Sequence, residues 1–196
     1  MGTIGTALSM SLDGFIAGPG EGAAAAGLHD WLTAGQTPSR FSPSFTMARP
    51  SAEFFDEGIA ATGAVIAGRR TYDVSGAWAG RGPVPGLPLV VLTHRVPERV
   101  PAGDPPYTFV TDGIEAAVEQ ARAMASTKNV HLMGASVVQQ SIRAGLLDEL
   151  VISLVPKVLG QGVRLLDGLD PSNIELEVVR VVDAPGVTHL TYRVIK

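Results

Sequence analysis

Eight short apolar runs, each rich in Val, Ile or Leu and each bounded by turn or loop residues, set the framework of this sequence. Runs this short predict buried strands, because a membrane span or a long helix needs a longer apolar segment. The runs are Thr3–Met10, Ala64–Ala67, Leu89–Thr93, Tyr107–Val110, Val130–Met133, Leu150–Val158, Ile174–Val182 and Val187–Ile195. The last two flank Asp183-Ala184-Pro185-Gly186, a turn sequence that predicts a terminal antiparallel hairpin.

Three helical stretches alternate with these runs, at Ser51–Ala61, Asp112–Ser126 and Ser136–Ala144. Ser51 precedes an acidic first turn, as an N-cap does, and Gly145 follows the third stretch, as a C-cap does. Alternating strands and helices predict an α/β domain with a mostly parallel sheet, to which the hairpin adds antiparallel strands at an edge.

The composition excludes several other classes of protein. Of the 196 residues, 45% are hydrophobic and 17% are charged, which is too apolar for a disordered chain. Cysteine is absent, so a disulfide framework and a cysteine-based zinc site are excluded, and no metal site is predicted. The net charge of −4 lacks the basic excess of a nucleic-acid-binding protein. We expect a single soluble, cytoplasmic domain over residues 1–196 that binds a small molecule, without a nucleic-acid or membrane partner.

Three predicted strands end in residues that suit a bound phosphate. These segments are Gly68-Arg69-Arg70-Thr71, Thr93-His94-Arg95 and Gly134-Ala135-Ser136-Val137. Glycine permits close approach of the backbone to a ligand, and a helix N-terminus or an Arg side chain attracts an anion. Each segment alone is equally typical of a turn without a ligand. Because ligands of open α/β sheets bind beyond the carboxyl ends of the strands, the three together predict a phosphate-binding site.

The same parts of the chain resemble a known family. The segments Ser11-Leu12-Asp13-Gly14-Phe15-Ile16-Ala17, Gly68-Arg69-Arg70-Thr71-Tyr72 and Pro83-Val84-Pro85-Gly86 resemble the dihydrofolate reductase-like superfamily. Within that superfamily, Gly145–Leu150 and Pro156–Gly162 are similar to the C-terminal reductase domain of the bacterial riboflavin-biosynthesis deaminase/reductase. The resemblance implies a three-layer α/β/α fold around a central mixed sheet.

The resemblance also implies NADPH as the cofactor and assigns residues to its parts. The 2′-phosphate is expected at Arg70, Thr93 and Arg95, the pyrophosphate at Thr71 and Gly134–Val137, and the nicotinamide near Ala7, Ile16 and Ala17. In such an enzyme the cofactor supplies the hydride, while the protein supplies placement and electrostatics.

Two carboxylates are candidates for the proton donor of such a reduction. Asp13 lies where the family has the edge of its substrate site, and Glu53 lies beside the position of the folate enzymes' helix carboxylate. To act as an acid, Asp13 would need a raised pKa. The alternatives for Asp13 are ordering of the substrate, with water as the proton donor, or an Asp-Gly turn. Glu53 also fits a first helical turn, where its charge complements the helix dipole.

The long segment Gly18–Pro50 is rich in Gly, Ala, Ser and Pro and lacks a sustained apolar period. Loops of this length in compact domains are usually functional or mobile. Trp31 in this segment either closes over a flat heterocyclic substrate or anchors the loop on the core.

Two departures from the family patterns narrow the expected function. Leu87 stands where folate reductases carry an Arg for the folate carboxylate, and the lack of cysteine removes the zinc-dependent deaminase half. The sequence therefore favours an NADPH-dependent reductase of a small heterocycle, most like 5-amino-6-(5-phosphoribosylamino)uracil reductase. A pterin reductase of the dihydrofolate reductase type and a non-catalytic NADP(H)-binding or assembly module are the alternatives. The resemblance and the apolar edges at Leu150–Val158 and the terminal hairpin predict a homodimer.

Overall fold

A computed structural model of the chain describes residues 2–19, 26–169 and 174–196, and these ranges contain twelve strands and four α-helices. The strands are β1 Ile4–Ser11, β2 Phe15–Ala17, β3 Thr37–Pro38, β4 Thr46–Met47, β5 Thr62–Gly68, β6 Leu89–Leu92, β7 Thr108–Val110, β8 Asn129–Met133, β9 Glu149–Val155, β10 Val163–Arg164, β11 Glu175–Ala184 and β12 Val187–Ile195. The helices are α1 Arg49–Ala61, α2 Arg69–Val74, α3 Ile114–Ala125 and α4 Ala135–Arg143. Two further short helical turns cover Asp30–Leu32 and Gly76–Gly80.

Eight of the strands form one sheet in the order β11-β12-β9-β1-β8-β5-β6-β7. The neighbours β1, β8, β5, β6 and β7 run parallel to one another, whereas β9, β12 and β11 pair antiparallel. The predicted α/β fold, with a mostly parallel central sheet and a C-terminal antiparallel hairpin, is therefore confirmed.

The chain divides into two compact units, each built from two segments. Unit 1 comprises Met1–Thr6 and Thr62–Asp148, and unit 2 comprises Ala7–Ala61 and Glu149–Lys196. In unit 1 one cluster of buried side chains joins strands β5 and β6 to helix α2 and the turn that follows it. In unit 2 a second cluster joins α1, β9 and the Asp30–Leu32 turn. The single domain over residues 1–196 stays a prediction.

The helices agree only in part with the ends that local sequence patterns predict. Helix α1 begins at Arg49, because Pro50 suits a first helical turn, so the prediction that Ser51 is the N-cap is wrong. Gly145 does end α4: its φ is +65°, and its amide donates to the carbonyl oxygen of Ile142 at 3.0 Å. Helix α2 was not predicted, because six residues are too few to show a helical period.

A buried histidine connects the elements of unit 2. His189 of β12 is fully buried, and its two ring nitrogens lie 2.9 Å from the hydroxyl oxygens of Ser51 and Ser153. The imidazole stacks on Phe54 with ring centroids 4.5 Å apart. Burial, and secondarily the charge of Arg180, lowers the pKa of His189 to about 4, so the ring is neutral at physiological pH.

This neutral histidine makes the stability of the protein depend on pH. The folded state disfavours protonation, so its contribution is complete above the ordinary histidine pKa of 6.5 and is lost as the pH falls toward about 4. The expected slope is about 1.4 kcal/mol per pH unit for such a group. As the pH is lowered from 6.5 to about 4, the urea midpoint of His189→Gln should fall less steeply than that of the unmodified chain. The exposed His94→Gln is the control and should keep the full slope, and equal slopes for all three proteins would contradict the assignment.

Candidate functional site

Three parallel strands of unit 1 end level with one another. Gly68 at the end of β5 lies opposite Leu92 of β6, and the residue before it lies opposite Met133 of β8. Adjacent strands are about 4.8 Å apart, so the segments that follow them emerge side by side. The structure thus brings together the three segments that the sequence analysis singled out for phosphate binding.

The turn after β8 lies tightly against the first turn of α2. Gly134 has a φ of +104°, and a Cβ atom at this position would lie only 2.5 Å from Oγ1 of Thr71. A Cβ atom on Gly68 would come within 3.2 Å of the side chains of Ser136 and Val137. Position 134 therefore requires glycine for two reasons, its backbone conformation and the close approach of the Thr71 hydroxyl.

Helix α4 starts at this turn and presents its positive end there. Gly134 is its N-cap, and no side chain within the described residues caps the helix. The amides of Ala135, Ser136 and Val137 are the first-turn donors that a helix leaves without backbone acceptors. Together with the partial positive charge of about half a unit at a helix N-terminus, they can bind a phosphate group.

Arg69 fixes the exit of β6 against α2. Its Nε donates to both carboxylate oxygens of Asp73 at 2.9 Å, and its Nη1 donates to the carbonyl oxygen of Arg95 at 2.8 Å. Thr93 is buried, and its hydroxyl donates to the same carbonyl oxygen at 2.8 Å. Arg69 and Thr93 are therefore occupied in holding the loop.

Other polar side chains at this edge extend into solvent. Arg70, His94 and Arg95 are all exposed. The two arginines follow β5 and β6, and they add positive charge to the edge of the sheet at which these strands and β8 end level. The site is thus built from a small-residue turn, a threonine hydroxyl and two exposed guanidinium groups.

Asp13 lies in unit 2 and accepts three hydrogen bonds. Its carboxylate accepts from the Ser11 hydroxyl at 2.6 Å, from the Gly160 amide at 2.7 Å and from the Leu159 amide at 3.1 Å. The Ser11 hydrogen bond, then those of the two amides, lower the pKa of Asp13 to about 2. These donors stabilise the ionised form of Asp13, so it lacks the raised pKa that a role as the acid would need, and its role toward a substrate stays a prediction.

The other predicted substrate and acid residues of unit 2 have structural partners. Glu53 is exposed and pairs with Arg49 at 2.8 Å across one turn of α1, as a solvated surface pair does. Trp31 is 8% exposed, and its indole N–H donates to the Ser9 hydroxyl at 3.0 Å. Its ring also meets His189 edge-on at 5.0 Å, so Trp31 anchors its segment on the core of unit 2. Residues 20–25 of the long segment Gly18–Pro50 lie outside the described residues.

The residues expected near a nicotinamide also lie in unit 2. Ala7 is exposed on β1, Ile16 is buried in β2, and Ala17 is half-buried at the end of β2. Ala17 pairs with Val163 of β10. Their role toward a nicotinamide stays a prediction.

The sequence analysis missed the partners of the Asp13 turn. The segment opposite this turn contains glycines at 160 and 162, and a Cβ atom on Gly162 would clash with the carbonyl oxygen of Ala17. Arg164 donates from Nη1 to the carbonyl oxygen of Asp13 at 3.0 Å. The closely spaced glycines were the signal available in the sequence, because such pairs mark close backbone approaches.

The described ranges contain no group of three or more His, Asp or Glu side chains placed to hold a metal ion. None of their helices has the length and apolar content needed to cross a membrane.

Comparison with known proteins gives a family match over nearly the whole chain. The family model of the RibD C-terminal domain matches residues 3–190. No curated protein sequence matches the chain significantly.

Solved structures share the fold at low sequence identity. A protein from Shewanella sp. PV-4 named for riboflavin biosynthesis is 23% identical over 100% of both chains, with a TM-score of 0.71. Dihydrofolate reductase from Enterococcus faecalis, complexed with NADP(H), is 16% identical over 99% of this chain and 97% of its own, with a TM-score of 0.58. RibD from Acinetobacter baumannii is 14% identical with a TM-score of 0.63, and the match covers 100% of this chain but only 59% of that one.

The close approach of Gly134 to Thr71 gives a test of the site's construction. Gly134→Ala should lower the urea midpoint through both the positive φ and the contact with the Thr71 hydroxyl. Gly86→Ala is the matched control, because Gly86 has a φ of +83° but no atom near its added Cβ. The cost of Gly134→Ala should exceed that of the control by about 1–3 kcal/mol, and the excess should shrink in a Thr71→Ala background. Equal costs for the two glycine variants would show that the turn is not closely packed.

Proposed function

Because the chain belongs to the RibD C-terminal domain family, we propose that it is an NADPH-dependent reductase of a small heterocycle. The family match supports a reductase related to riboflavin biosynthesis, and dihydrofolate reductase shares its fold. The observation that carries the cofactor proposal is the alignment of three phosphate-compatible segments at one edge of the unit 1 sheet.

The pyrophosphate of the cofactor fits the turn at the start of α4. The close contact between Gly134 and the Thr71 hydroxyl leaves no room for a side chain between them, so the turn is a narrow backbone surface. The amides of the first turn of α4 would donate to the phosphate oxygens, and Thr71 would add a hydroxyl donor. When bound, NADPH supplies the hydride, and the residues of this edge hold and orient it.

The 2′-phosphate distinguishes NADPH from NADH, and exposed arginines at the same edge suit it. Arg70 and Arg95 are exposed, and the backbone of Arg95 is held by Arg69 and Thr93. A fixed backbone lowers the conformational cost of ordering the Arg95 side chain on a phosphate. We assign the 2′-phosphate to Arg70 and Arg95.

For the substrate, the best-supported class is a pyrimidine like that of riboflavin biosynthesis. One protein of the same fold, from Thermotoga maritima, is named as a deaminase and 5-amino-6-(5-phosphoribosylamino)uracil reductase, and this chain spans 57% of it. Leu87 lacks the positive charge that a folate carboxylate needs, which disfavours a pterin reductase of the dihydrofolate reductase type.

A non-catalytic NADP(H)-binding module is the second candidate. The surroundings of the two candidate proton donors, Asp13 and Glu53, favour it. Asp13 has a pKa of about 2, and Glu53 is a solvated surface residue paired with Arg49. The lowered pKa of Asp13 leaves this side chain poorly suited to donate a proton at neutral pH. If the protein is a reductase, water supplies the proton, and turnover therefore separates the two candidates.

The cofactor proposal is tested by titration calorimetry with NADPH and NADH. NADPH should bind more tightly, and Arg95→Gln should weaken NADPH binding by about tenfold or more, the value of one charge-assisted hydrogen bond. The same variant should leave NADH binding unchanged. Arg143→Gln, at the exposed far end of α4, is the control and should alter neither affinity.

Equal affinity for NADPH and NADH, or no binding of either, would contradict the cofactor proposal. Turnover is then measured as consumption of NADPH with 5-amino-6-(5-phosphoribosylamino)uracil. Consumption supports the reductase. Tight NADPH binding without consumption of this substrate or of dihydrofolate would favour the binding module.

A homodimer is also part of the proposal. Strand β11 lies at the end of the sheet order, and its Val178 and Val181 side chains are 60% and 56% exposed. An apolar edge strand is a ready surface for pairing with a second copy. Light scattering should give twice the chain mass of 20.4 kDa. Val181→Lys should shift the protein toward the monomer and the 58% exposed Val74→Lys should not, whereas a monomeric unmodified chain would contradict the dimer.

A further inference from the structure

Strand β2 lies outside the eight-stranded sheet of the protein. It is three residues long, and within the described residues its strand partner is the two-residue strand β10, in a separate two-stranded sheet. A two-stranded ribbon on its own is at best marginally stable in water. Contacts from other parts of unit 2 are therefore needed to hold β2 in place.

A chain of hydrogen bonds joins the first residue of β2 to Asp13. The amide of Phe15 donates to the Ser11 hydroxyl oxygen at 3.0 Å, and this hydroxyl donates to the Asp13 carboxylate at 2.6 Å. Ser11 is fully buried, so water does not compete for its hydroxyl. Hydrogen bonds in such a chain polarise and strengthen one another. The position of β2 is thereby coupled to the position of the Asp13 carboxylate.

The Asp13 carboxylate is itself held by a distant segment of the chain. One of its oxygens accepts from the Leu159 amide at 3.1 Å, and the other accepts from the Gly160 amide at 2.7 Å. Beside this contact, the Leu12 amide donates to the carbonyl oxygen of Lys157 at 2.8 Å. Hydrogen bonds from backbone amides to an ionised carboxylate are charge-assisted, and here they hold both of its oxygens. Segment 157–160 therefore fixes the turn that precedes β2.

Arg164 of β10 holds the same turn at its backbone. Its Nη1 donates to the carbonyl oxygen of Asp13 at 3.0 Å, and its guanidinium carbon lies 4.3 Å from the ring centroid of Phe15. A guanidinium group over an aromatic ring is attracted by the negative face of the ring. Asp13 is thus held through its side chain and through its backbone, and the same arginine covers the first residue of β2.

Two of the residues expected near a nicotinamide lie on β2. Ile16 is buried, and Ala17 is half-buried at the end of the strand. A hydride donor reacts from one orientation, and a displacement of about 1 Å at a reacting group can cost about a hundredfold in rate. A strand that supports a nicotinamide must therefore be fixed, and the short ribbon of β2 and β10 needs outside contacts for that.

We propose that Asp13 is a positioning residue for the nicotinamide end of the cofactor. Its carboxylate ties β2 to segment 157–160 through the Ser11 hydroxyl and the two amides, and β2 in turn presents Ile16 and Ala17 to the nicotinamide. This role requires neither a proton from Asp13 nor a contact of Asp13 with the substrate. It rests on the proposed function, because it requires that the chain binds NADPH.

The test compares the binding of NADPH with that of 2′,5′-ADP, by titration calorimetry on the full chain. The second ligand has the 2′-phosphate but no nicotinamide. Asp13→Asn keeps the shape of the side chain but has a single acceptor oxygen, so one of the two amides loses its acceptor. This variant should weaken NADPH binding about tenfold, the effect of one lost charge-assisted hydrogen bond. Its affinity for 2′,5′-ADP should stay unchanged.

Glu57→Gln is the matched control, because it also removes a hydrogen-bonded carboxylate from unit 2. Glu57 accepts from Arg180 at 2.8 Å and has no part in the contacts of the Asp13 turn. Glu57→Gln should change neither affinity. Ser11→Ala removes the hydroxyl between Asp13 and β2, so it should act in the same direction as Asp13→Asn. The double variant should weaken NADPH binding by less than the product of the two single effects, since both act through one chain of hydrogen bonds.

Two further measurements separate positioning from a general loss of structure. The fluorescence anisotropy of NADPH at saturating protein reports the mobility of its reduced nicotinamide, and it should be lower with Asp13→Asn than with the unmodified chain. Hydrogen exchange of the Gly160 amide should be faster in the same variant, because this amide donates to Asp13 at 2.7 Å.

Equal weakening of NADPH and 2′,5′-ADP by Asp13→Asn, or weakening of neither, would overturn the positioning role and leave the cofactor proposal intact. Unchanged anisotropy of the bound NADPH would also overturn it. An unmodified chain that binds neither ligand would contradict the proposed function itself, and the positioning role with it.

Discussion

The close approach of Gly134 to the Thr71 hydroxyl is the constraint on which the candidate site depends. Strands β8, β5 and β6 end level, so the turns that follow them must share a narrow space. A side chain at 134 would lie 2.5 Å from Oγ1 of Thr71 and would push the two turns apart. Only a glycine turn keeps the first amides of α4 beside the threonine hydroxyl, where both can reach the same anion.

The charged residues of the candidate site differ in whether their charges are matched within the protein or exposed to solvent. Arg69 donates hydrogen bonds to the Asp73 carboxylate and to the carbonyl oxygen of Arg95, and these bonds fix the segment that follows β6. Arg70 and Arg95 are exposed, so their charges are accessible to the anionic cofactor that we propose. In unit 2, hydrogen bonds from the Ser11 hydroxyl and two backbone amides lower the pKa of Asp13 and stabilise its ionised form, so Asp13 fits the ordering of a turn better than proton donation.

Much of the fold and part of the site could be predicted from the sequence, because the strands are short apolar runs bounded by turn residues. The phosphate-compatible segments were visible for the same reason: each directly follows a strand. What could not be predicted depends on distant partners. Ser51 resembles a helix cap, but its hydroxyl pairs with His189, 138 residues away, and Asp13 meets the Gly160 amide across 147 residues. No local pattern contains such contacts, and α2 is too short to show a period.

The measurement that tests this account most directly is a crystal structure of the protein grown with NADP⁺. The account predicts the pyrophosphate within hydrogen-bond distance of the Ala135–Val137 amides and the Thr71 hydroxyl, with the 2′-phosphate on Arg70 and Arg95. A cofactor whose phosphates contact neither the start of α4 nor these arginines would contradict it, and so would crystals in which saturating NADP⁺ leaves this edge of unit 1 empty.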